Sequence, residues 1–173
     1  AAGRRDLSAG DLPILHLDAD FVVIDKPPGV LAVPGRGRYV SAVELLRARL
    51  ELRDNSAVRI VHRLDRDASG VQVYARTLVA QQHLVRQFAA RRVEKVYYAL
   101  VTGYVEQDGT VDLPLVYDKR RDRVTTSTTG RGEMALTHYR VLQRVAGHTL
   151  LECRPATGRL HQIRVHLASV GCP

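Results

Sequence analysis

The residues best suited to chemistry are two carboxylates within residues 61–70, VHRLDRDASG. Asp65 lies between Arg63 and Arg66, and Asp67 follows two positions later. Neighbouring arginines favour an ionised carboxylate, which suits a nucleophile or a general base better than a general acid. The same letters also fit a solvated turn whose charges balance one another, and the pattern alone favours that structural interpretation.

Other kinds of catalytic or metal site find little support in the sequence. His161 and His166 are five residues apart, which does not fit two ligands at i and i+4 on one helix face. Asp65 and Asp67 resemble a metal clamp only superficially, because the adjacent arginines compete for both carboxylates. No GxSxG, GxxxxGK[ST] or GxGxxG motif is present. We therefore expect neither a metal nor a cofactor.

Positive charge is concentrated in the later part of the chain. The net charge is +8; residues 1–57 hold eight Lys or Arg and eight Asp or Glu, whereas residues 58–173 hold eighteen and ten. Such asymmetry is typical of surfaces that bind phosphate backbones. Only three of the 26 basic residues are Lys, so a general preference for arginine also explains part of the excess.

Hydrophobic periodicity predicts more strands than helices. Because the strands do not alternate with helices, we expect an α+β fold with a mixed, largely antiparallel sheet. Ser41 and Glu44 have the spacing of a capping box, and Thr77 is a second candidate N-cap. The predicted strands are 14–17, 21–25, 58–61, 71–75, 93–101, 136–142 and 148–153, and the predicted helices are 41–52, 77–90 and 159–169.

Two polar or irregular stretches connect these elements. Prolines and glycines in residues 25–35, DKPPGVLAVPG, exclude a regular helix or strand. Residues 118–132 form a basic connection between strand-like segments 110–117 and 134–142. That connection fits either a solvated hairpin tip or an arm that contacts RNA phosphates, and both interpretations stay open.

Five segments resemble, in order, the motifs of RluA-type pseudouridine synthases, which isomerise uridine in RNA. The resemblance runs from about Leu15 to the end of the chain and implies a pseudouridine synthase sheet with flanking helices and a central active-site cleft. HRLDRDASG is similar to the family's HRLDxxTSG, and DKPPGVLAVPG to its DKPxGxxVxP. The other three segments are EKVYYALVTG, VDLPLVYD and LLECRPATGRLHQIRVHL, which resemble the family's EKxYxAxVxG strand, a segment of the RluA branch and the GRTHQIRVHL motif.

The resemblance implies three catalytic residues. Asp65 stands where the family has its catalytic aspartate, and Tyr97 stands where a tyrosine stacks on the target base. Arg164 matches the arginine that forms an ion pair with the catalytic aspartate. An aromatic face and a carboxylate with a cationic partner suit chemistry on a base removed from its stack.

The resemblance also implies three substrate-binding residues. Arg63 matches an arginine that occupies the space left by the flipped base, Ile163 matches an apolar wall of the uracil pocket, and Lys95 belongs to the K-x-Y frame. Two positions depart from the family. Ala68 replaces a threonine whose hydroxyl could brace the loop, and Leu160 replaces a threonine or serine that could cap the last helix.

We therefore expect an RNA pseudouridine synthase that acts on structured rRNA or tRNA without metal or cofactor. The aspartate either forms a covalent adduct or acts as the base that generates a glycal, and the sequence does not distinguish these routes. One alternative is a non-catalytic RNA-binding module with the same fold, which has no need for Asp65, Tyr97 and Arg164 together. A glycoside hydrolase requires a second acid, for which Asp67 is too close in the chain.

The expected domain organisation is simple. Residues 1–13 are predicted to be a flexible tail, and residues 14–173 a catalytic domain that lacks the family's later G-D-x-x-Y segment and final strands. We expect no S4-type RNA-binding domain, no membrane span and no secretory signal. The protein is accordingly expected to be a cytoplasmic monomer without a membrane partner.

Overall fold

The chain divides into two compact units, the first ending at Arg92 and the second beginning at Val93. The predicted tail falls largely outside the described residues, but Leu12 is 1% exposed and belongs to the core of the first unit. The packed part of that unit therefore includes the end of the range predicted to be a tail. This computed structural model describes residues 11–35, 39–53, 57–127 and 129–173.

The first unit is an antiparallel sheet of order β1-β2-β4-β3 with two helices. All six elements were predicted, although the strand expected at 58–61 is only two residues long. The segment predicted to be irregular at 25–35 is so after Lys26, but Asp25 and Lys26 themselves belong to β2. The elements are β1 Ile14–Leu17, β2 Phe21–Lys26, α1 Ala42–Arg49, β3 Arg59–Ile60, β4 Gly70–Ala75 and α2 Leu78–Ala89.

Both predicted helix caps of the first unit are confirmed. Ser41 Oγ accepts a hydrogen bond from the Glu44 amide at 3.2 Å, and the Glu44 carboxylate accepts one from the Ser41 amide at 2.8 Å. Thr77 Oγ1 accepts from the amide of Ala80 at 3.1 Å at the start of α2. These bonds satisfy amide groups that the first helical turn leaves without partners.

The second unit contains an antiparallel sheet of order β5-β10-β9-β6, a separate hairpin of β7 and β8, and one helix. Pairing throughout both units is antiparallel between the described strands, which confirms the α+β class. The elements are β5 Tyr97–Thr102, β6 Gly109–Asp112, β7 Leu115–Asp118, β8 Arg123–Thr126, β9 Leu136–Val145, β10 His148–Pro155 and α3 Gln162–Ser169.

Part of the basic connection at 118–132 proves to be a strand. β8 pairs with β7 with Tyr117 opposite Val124, so the turn of the hairpin is confined to the residues between Asp118 and Arg123. Sequence periodicity does not detect β8, because RVTT contains a single aliphatic side chain. Among the described residues, no helix is both long and apolar enough to cross a bilayer.

A chain of hydrogen bonds attaches α3 to the neighbouring sheet. Gln162 Nε2 donates to Thr137 Oγ1 at 2.9 Å, and Thr137 Oγ1 lies 2.9 Å from His166 Nδ1. His166 Nε2 lies 3.0 Å from the carbonyl of Leu113. Because a carbonyl only accepts, Nε2 carries the proton and Nδ1 accepts from Thr137. His166 is therefore the neutral Nε2–H tautomer, and its burial lowers its pKa below the ordinary 6.5.

This arrangement predicts that His166 makes the fold sensitive to acid. Below about pH 6.5, His166 is protonated in the unfolded chain but stays neutral in the folded protein, because its pKa is lower there. The free energy of unfolding therefore falls as the pH decreases. His166→Gln keeps one donor and one acceptor but does not titrate. We expect it to reduce the loss of stability between pH 7 and pH 5.5 by up to about 1 kcal/mol, measured by urea denaturation.

His83→Gln is the matched control, because His83 is exposed on α2. It should leave the difference between the two pH values unchanged. An equal loss of stability in wild type and His166→Gln would show that His166 is not the group that titrates.

Candidate active site and RNA interface

A buried lysine holds the loop that carries Asp65. Lys26, the last residue of β2, is 0% exposed. Its Nζ donates to the carbonyl oxygens of Pro27 at 2.9 Å, Val30 at 2.8 Å and Arg66 at 3.0 Å. An ammonium group has three N–H donors, so each of them meets a carbonyl. The DKPPG segment and the HRLD loop are therefore tied together through one side chain.

The charge of Lys26 is compatible with this burial. Burial lowers its pKa to about 8, while the negative charges of Asp67 and Asp65 oppose that decrease. A pKa of about 8 keeps the ammonium form predominant at neutral pH. A cation thus lies beneath the loop, close enough to the two carboxylates for their charges to act on it.

Backbone atoms complete the attachment of the loop. The carbonyl of Arg66 accepts a second hydrogen bond, from the Gly29 amide at 2.9 Å. Gly29 has a φ of +85°, a conformation that favours glycine. The carbonyl of Asp65 accepts from the Ala68 amide at 3.2 Å, which closes a turn. We expected the absence of a hydroxyl at Ala68 to affect loop rigidity, but the loop forms these hydrogen bonds without it.

The histidine and leucine of the HRLD motif anchor the other end of the loop. His62 Nε2 accepts from the Val73 amide at 3.1 Å, and its carbonyl accepts from Gln72 Nε2 at 3.1 Å. The imidazole stacks on the Phe88 ring with centroids 4.6 Å apart. Leu64 is buried. This end of the loop is thus fixed to β4 and α2.

The four charged residues of this loop differ in exposure and in their partners. Asp65 is half-buried and Arg63 is exposed. Arg66 forms a bidentate ion pair with Asp67, with Nε to Oδ1 at 2.9 Å and Nη2 to Oδ2 at 2.8 Å. This ion pair lies within the loop itself. The catalytic role of Asp65 and the RNA role of Arg63 stay predictions.

In the second unit, a groove brings together two of the predicted residues. It has a volume of about 770 Å³ and runs between β5, β8 and α3. Ile163 and the exposed Arg164 both line it. Tyr97, on β5, is half-buried and packs against the core of this unit. Other residues along the groove include Leu100, Arg123, Val124, Thr125, His161 and Cys172.

Lys95 braces the loop that leads into α3. Its Nζ donates to the carbonyl of Thr157 at 2.7 Å. Thr157 Oγ1 in turn donates to Gln162 Oε1 at 2.7 Å and accepts from the Leu136 amide at 3.1 Å. This contact gives Lys95 a positioning role, and its predicted role in substrate binding stays a prediction.

The start of α3 has an unusual backbone. Its N-cap, His161, has a φ of 52°, in the left-handed region, and makes no side-chain capping bond. Because the N-cap is His161, the cap that we expected to be lost with Leu160 does not lie at that position. Instead, Gln162 Oε1 accepts from the Arg159 amide at 3.0 Å. Left-handed residues other than glycine cost about 1–2 kcal/mol and cluster at functional sites. His161 lines the same groove as Arg164.

The tip of the β7–β8 hairpin is strongly cationic. The Asp118 carboxylate accepts hydrogen bonds from the amides of Arg120 at 2.9 Å and Arg121 at 3.2 Å, which fixes the turn. Lys119, Arg120 and Arg121 are all exposed, and Arg123 at the base of the tip lines the groove. The tip therefore extends positive charge outward from the groove.

Two of these structural features were missed by the sequence reasoning. Lys26 was interpreted only as part of an irregular DKPPG segment. His166 was tested only as a metal ligand. In the part of the chain that the structure describes, no group of three or more His, Cys, Asp or Glu side chains is arranged to hold a metal.

Comparison with known proteins identifies the family. A family model described as RNA pseudouridylate synthase matches residues 20–169. The chain belongs to this family. The ribosomal large subunit pseudouridine synthase D of Xanthomonas campestris pv. campestris is 45% identical over 170 residues, 94% of this chain and 50% of that protein. The protein of the same name from Nitrosomonas europaea is 43% identical over 164 residues, 94% of this chain and 47% of its own length. The chain thus spans about half the length of these curated relatives.

Solved structures of pseudouridylate synthases share the fold. Human RNA Pseudouridylate Synthase Domain Containing 1 superposes with a TM-score of 0.83 at 26% identity and covers 98% of this chain and 69% of its own. Human RNA Pseudouridylate Synthase Domain Containing 4 gives a TM-score of 0.76 at 29% identity, covering 93% and 66%. The five-motif resemblance and the predicted fold class are confirmed.

Removing the buried ammonium should destabilise the first unit. In Lys26→Met the buried carbonyl of Val30 loses its charged donor, and we expect a loss of about 1–3 kcal/mol in the free energy of unfolding. Urea denaturation measures this change. Lys119→Met, at the exposed hairpin tip, is the control and should stay within about 0.5 kcal/mol of wild type. Equal urea midpoints for Lys26→Met and wild type would contradict the bracing role of Lys26.

Proposed function

We propose that the protein isomerises uridine to pseudouridine in RNA, with ribosomal RNA of the large subunit as its substrate. The observation that carries this proposal is the family match over residues 20–169, which includes Asp65 on a loop fixed by Lys26. Both relatives described above have names that specify the large ribosomal subunit. Such a substrate implies a cytoplasmic location, and we propose that the protein acts there as a monomer.

The reaction requires only proton transfers and bond exchange at one nucleotide. The bond between C1′ and N1 breaks, the uracil turns in its pocket, and a bond forms between C1′ and C5. N1 gains a proton and C5 loses one, so the product is an isomer and no oxidant or reductant is needed. Asp65 acts either as a nucleophile toward the nucleotide or as the base that produces a glycal.

The other predicted residues fit this scheme. The target base must leave its stack, which costs a few kcal/mol. Stacking on Tyr97 offsets about 1–3 kcal/mol, and Arg63 would occupy the vacated space. Ile163 would form an apolar wall for the uracil. Arg164 would pair with the Asp65 carboxylate, because a planar guanidinium can bind both carboxylate oxygens.

Loss of tritium from C5 tests this function directly. Full-length protein is incubated with large-subunit rRNA transcripts labelled with tritium at uridine C5, and released tritium is counted. Wild type should release it, whereas Asp65→Asn should reduce release by at least about 10³-fold with nearly unchanged RNA affinity, because the amide is a poor nucleophile and base. Asp20→Asn, an exposed carboxylate of the same unit, is the control and should keep wild-type release.

Two outcomes would contradict the proposal. Release by Asp65→Asn at the wild-type rate would show that another group performs the chemistry. A folded wild-type protein that binds these transcripts without releasing tritium would instead identify the non-catalytic RNA-binding module.

The hairpin tip should contribute the electrostatic part of RNA binding. Replacing Lys119, Arg120 and Arg121 together with Gln removes three exposed cations. If each contacts a phosphate, the slope of log affinity against log salt concentration should become shallower by about 2, at roughly 0.7–0.9 per contact. Filter binding of the rRNA transcript at several salt concentrations measures this slope.

A triple variant elsewhere controls for net charge. Arg86, Arg91 and Arg92 are exposed at the end of α2, and their replacement with Gln removes the same charge. This control should change the slope much less. Equal slopes for the two triple variants would assign the effect to overall charge and leave the hairpin as a solvated tip.

A further inference from the structure

An exposed aromatic ring, Tyr39, lies against an arginine of the HRLD loop. Tyr39 is 49% exposed, and the guanidinium carbon of Arg66 lies 4.8 Å from the centroid of its ring. We propose that Tyr39 and Arg66 form a stacking subsite for a nucleobase adjacent to the target uridine. This inference rests on the proposed function, because it requires an RNA substrate.

The Arg66 side chain is held in place before any ligand binds. Its guanidinium is fixed by the bidentate pair with Asp67, and the Arg66 carbonyl is fixed by Lys26 and Gly29. Few Arg66 rotamers therefore need to be ordered when a base arrives, which favours binding. The Arg66 side chain is 40% exposed and Tyr39 is 49% exposed, so both are accessible to a ligand.

The chemistry of the subsite suits an unpaired base of RNA. Proteins recognise unstacked bases with aromatic rings and guanidinium planes, and a cation nearby attracts the adjoining phosphate. Arg66 directly follows Asp65 in the chain, so their Cα atoms are about 3.8 Å apart. A base on this subsite would therefore belong to a nucleotide near the one that reaches Asp65. Flipping the target base exposes the faces of its neighbours, which the subsite could then cover.

Kinetics of two variants test the subsite. Tyr39→Leu removes the ring and Tyr39→Phe keeps it. In the tritium-release assay on the rRNA transcript, Tyr39→Leu should raise KM about 5- to 150-fold, the range expected for stacking of one base, with kcat little changed. Tyr39→Phe should stay close to wild type. An unchanged KM in Tyr39→Leu, or an equal loss in Tyr39→Phe, overturns the subsite.

Photocrosslinking gives a readout that a purely structural tyrosine would not produce. The same transcript, made with 5-iodouridine, is irradiated with the wild-type protein, and crosslinked peptides are mapped by mass spectrometry. The peptide containing Tyr39 should be crosslinked at that residue. Its absence, with crosslinks found elsewhere on the protein, overturns the subsite.

A matched control separates this inference from the function on which it rests. Tyr104 is 65% exposed in the second unit, and Tyr104→Leu should leave KM unchanged. Wild-type release with an unaffected Tyr39→Leu variant refutes the subsite and leaves the enzyme assignment intact. No release by the wild type refutes the enzyme assignment itself. A KM raised equally in Tyr104→Leu and Tyr39→Leu also refutes the subsite, because it shows a general effect of losing an aromatic ring.

Discussion

The geometry of the proposed catalytic loop depends on the burial of one ammonium group. A buried cation is unfavourable unless each of its donors is satisfied, and Lys26 satisfies all three with carbonyls from Pro27, Val30 and Arg66. Two of these carbonyls belong to the segment after β2 and the third belongs to the loop after β3. The chain must therefore fold back on itself twice around one nitrogen. Lys26 thus holds the DKPPG and HRLD motifs together in the folded chain.

In the second unit, hydrogen bonds of buried polar side chains likewise determine the position of a segment, the helix α3. Gln162 bonds to both Thr137 and Thr157, and His166 continues the chain to the Leu113 carbonyl. Lys95 adds a charged donor to the loop before the helix. Much of the GRLHQIRVH motif thus positions the helix, whereas Ile163 and Arg164 face the groove. Most of this motif is therefore framework, and Ile163 and Arg164 are the two predicted site residues in it that line the groove.

Regular elements were predicted well because they depend on local patterns. Short apolar runs such as FVVID and the Ser41–Glu44 capping box depend on only a few neighbouring residues. The sequence is therefore sufficient to predict them. The strand β8 was missed because its own composition does not indicate a strand. It is a strand because it pairs with β7. Lys26 and His166 were missed as framework residues for a similar reason. The partners that link them to other segments, the Arg66 carbonyl for Lys26 and Thr137 and Leu113 for His166, are distant in the sequence, so no local pattern indicates these contacts.

The attachment of the HRLD loop through the carbonyl of Arg66 has a consequence for sequence variation. Lys26 and Gly29 both bind a backbone atom, which every amino acid possesses. The turn closed by the Ala68 amide likewise does not depend on the side chain at position 68. The side chains at positions 66 and 68 can therefore vary while these backbone bonds keep Asp65 in place. Under the proposed function, the position of Asp65 and the choice of RNA partner can evolve separately.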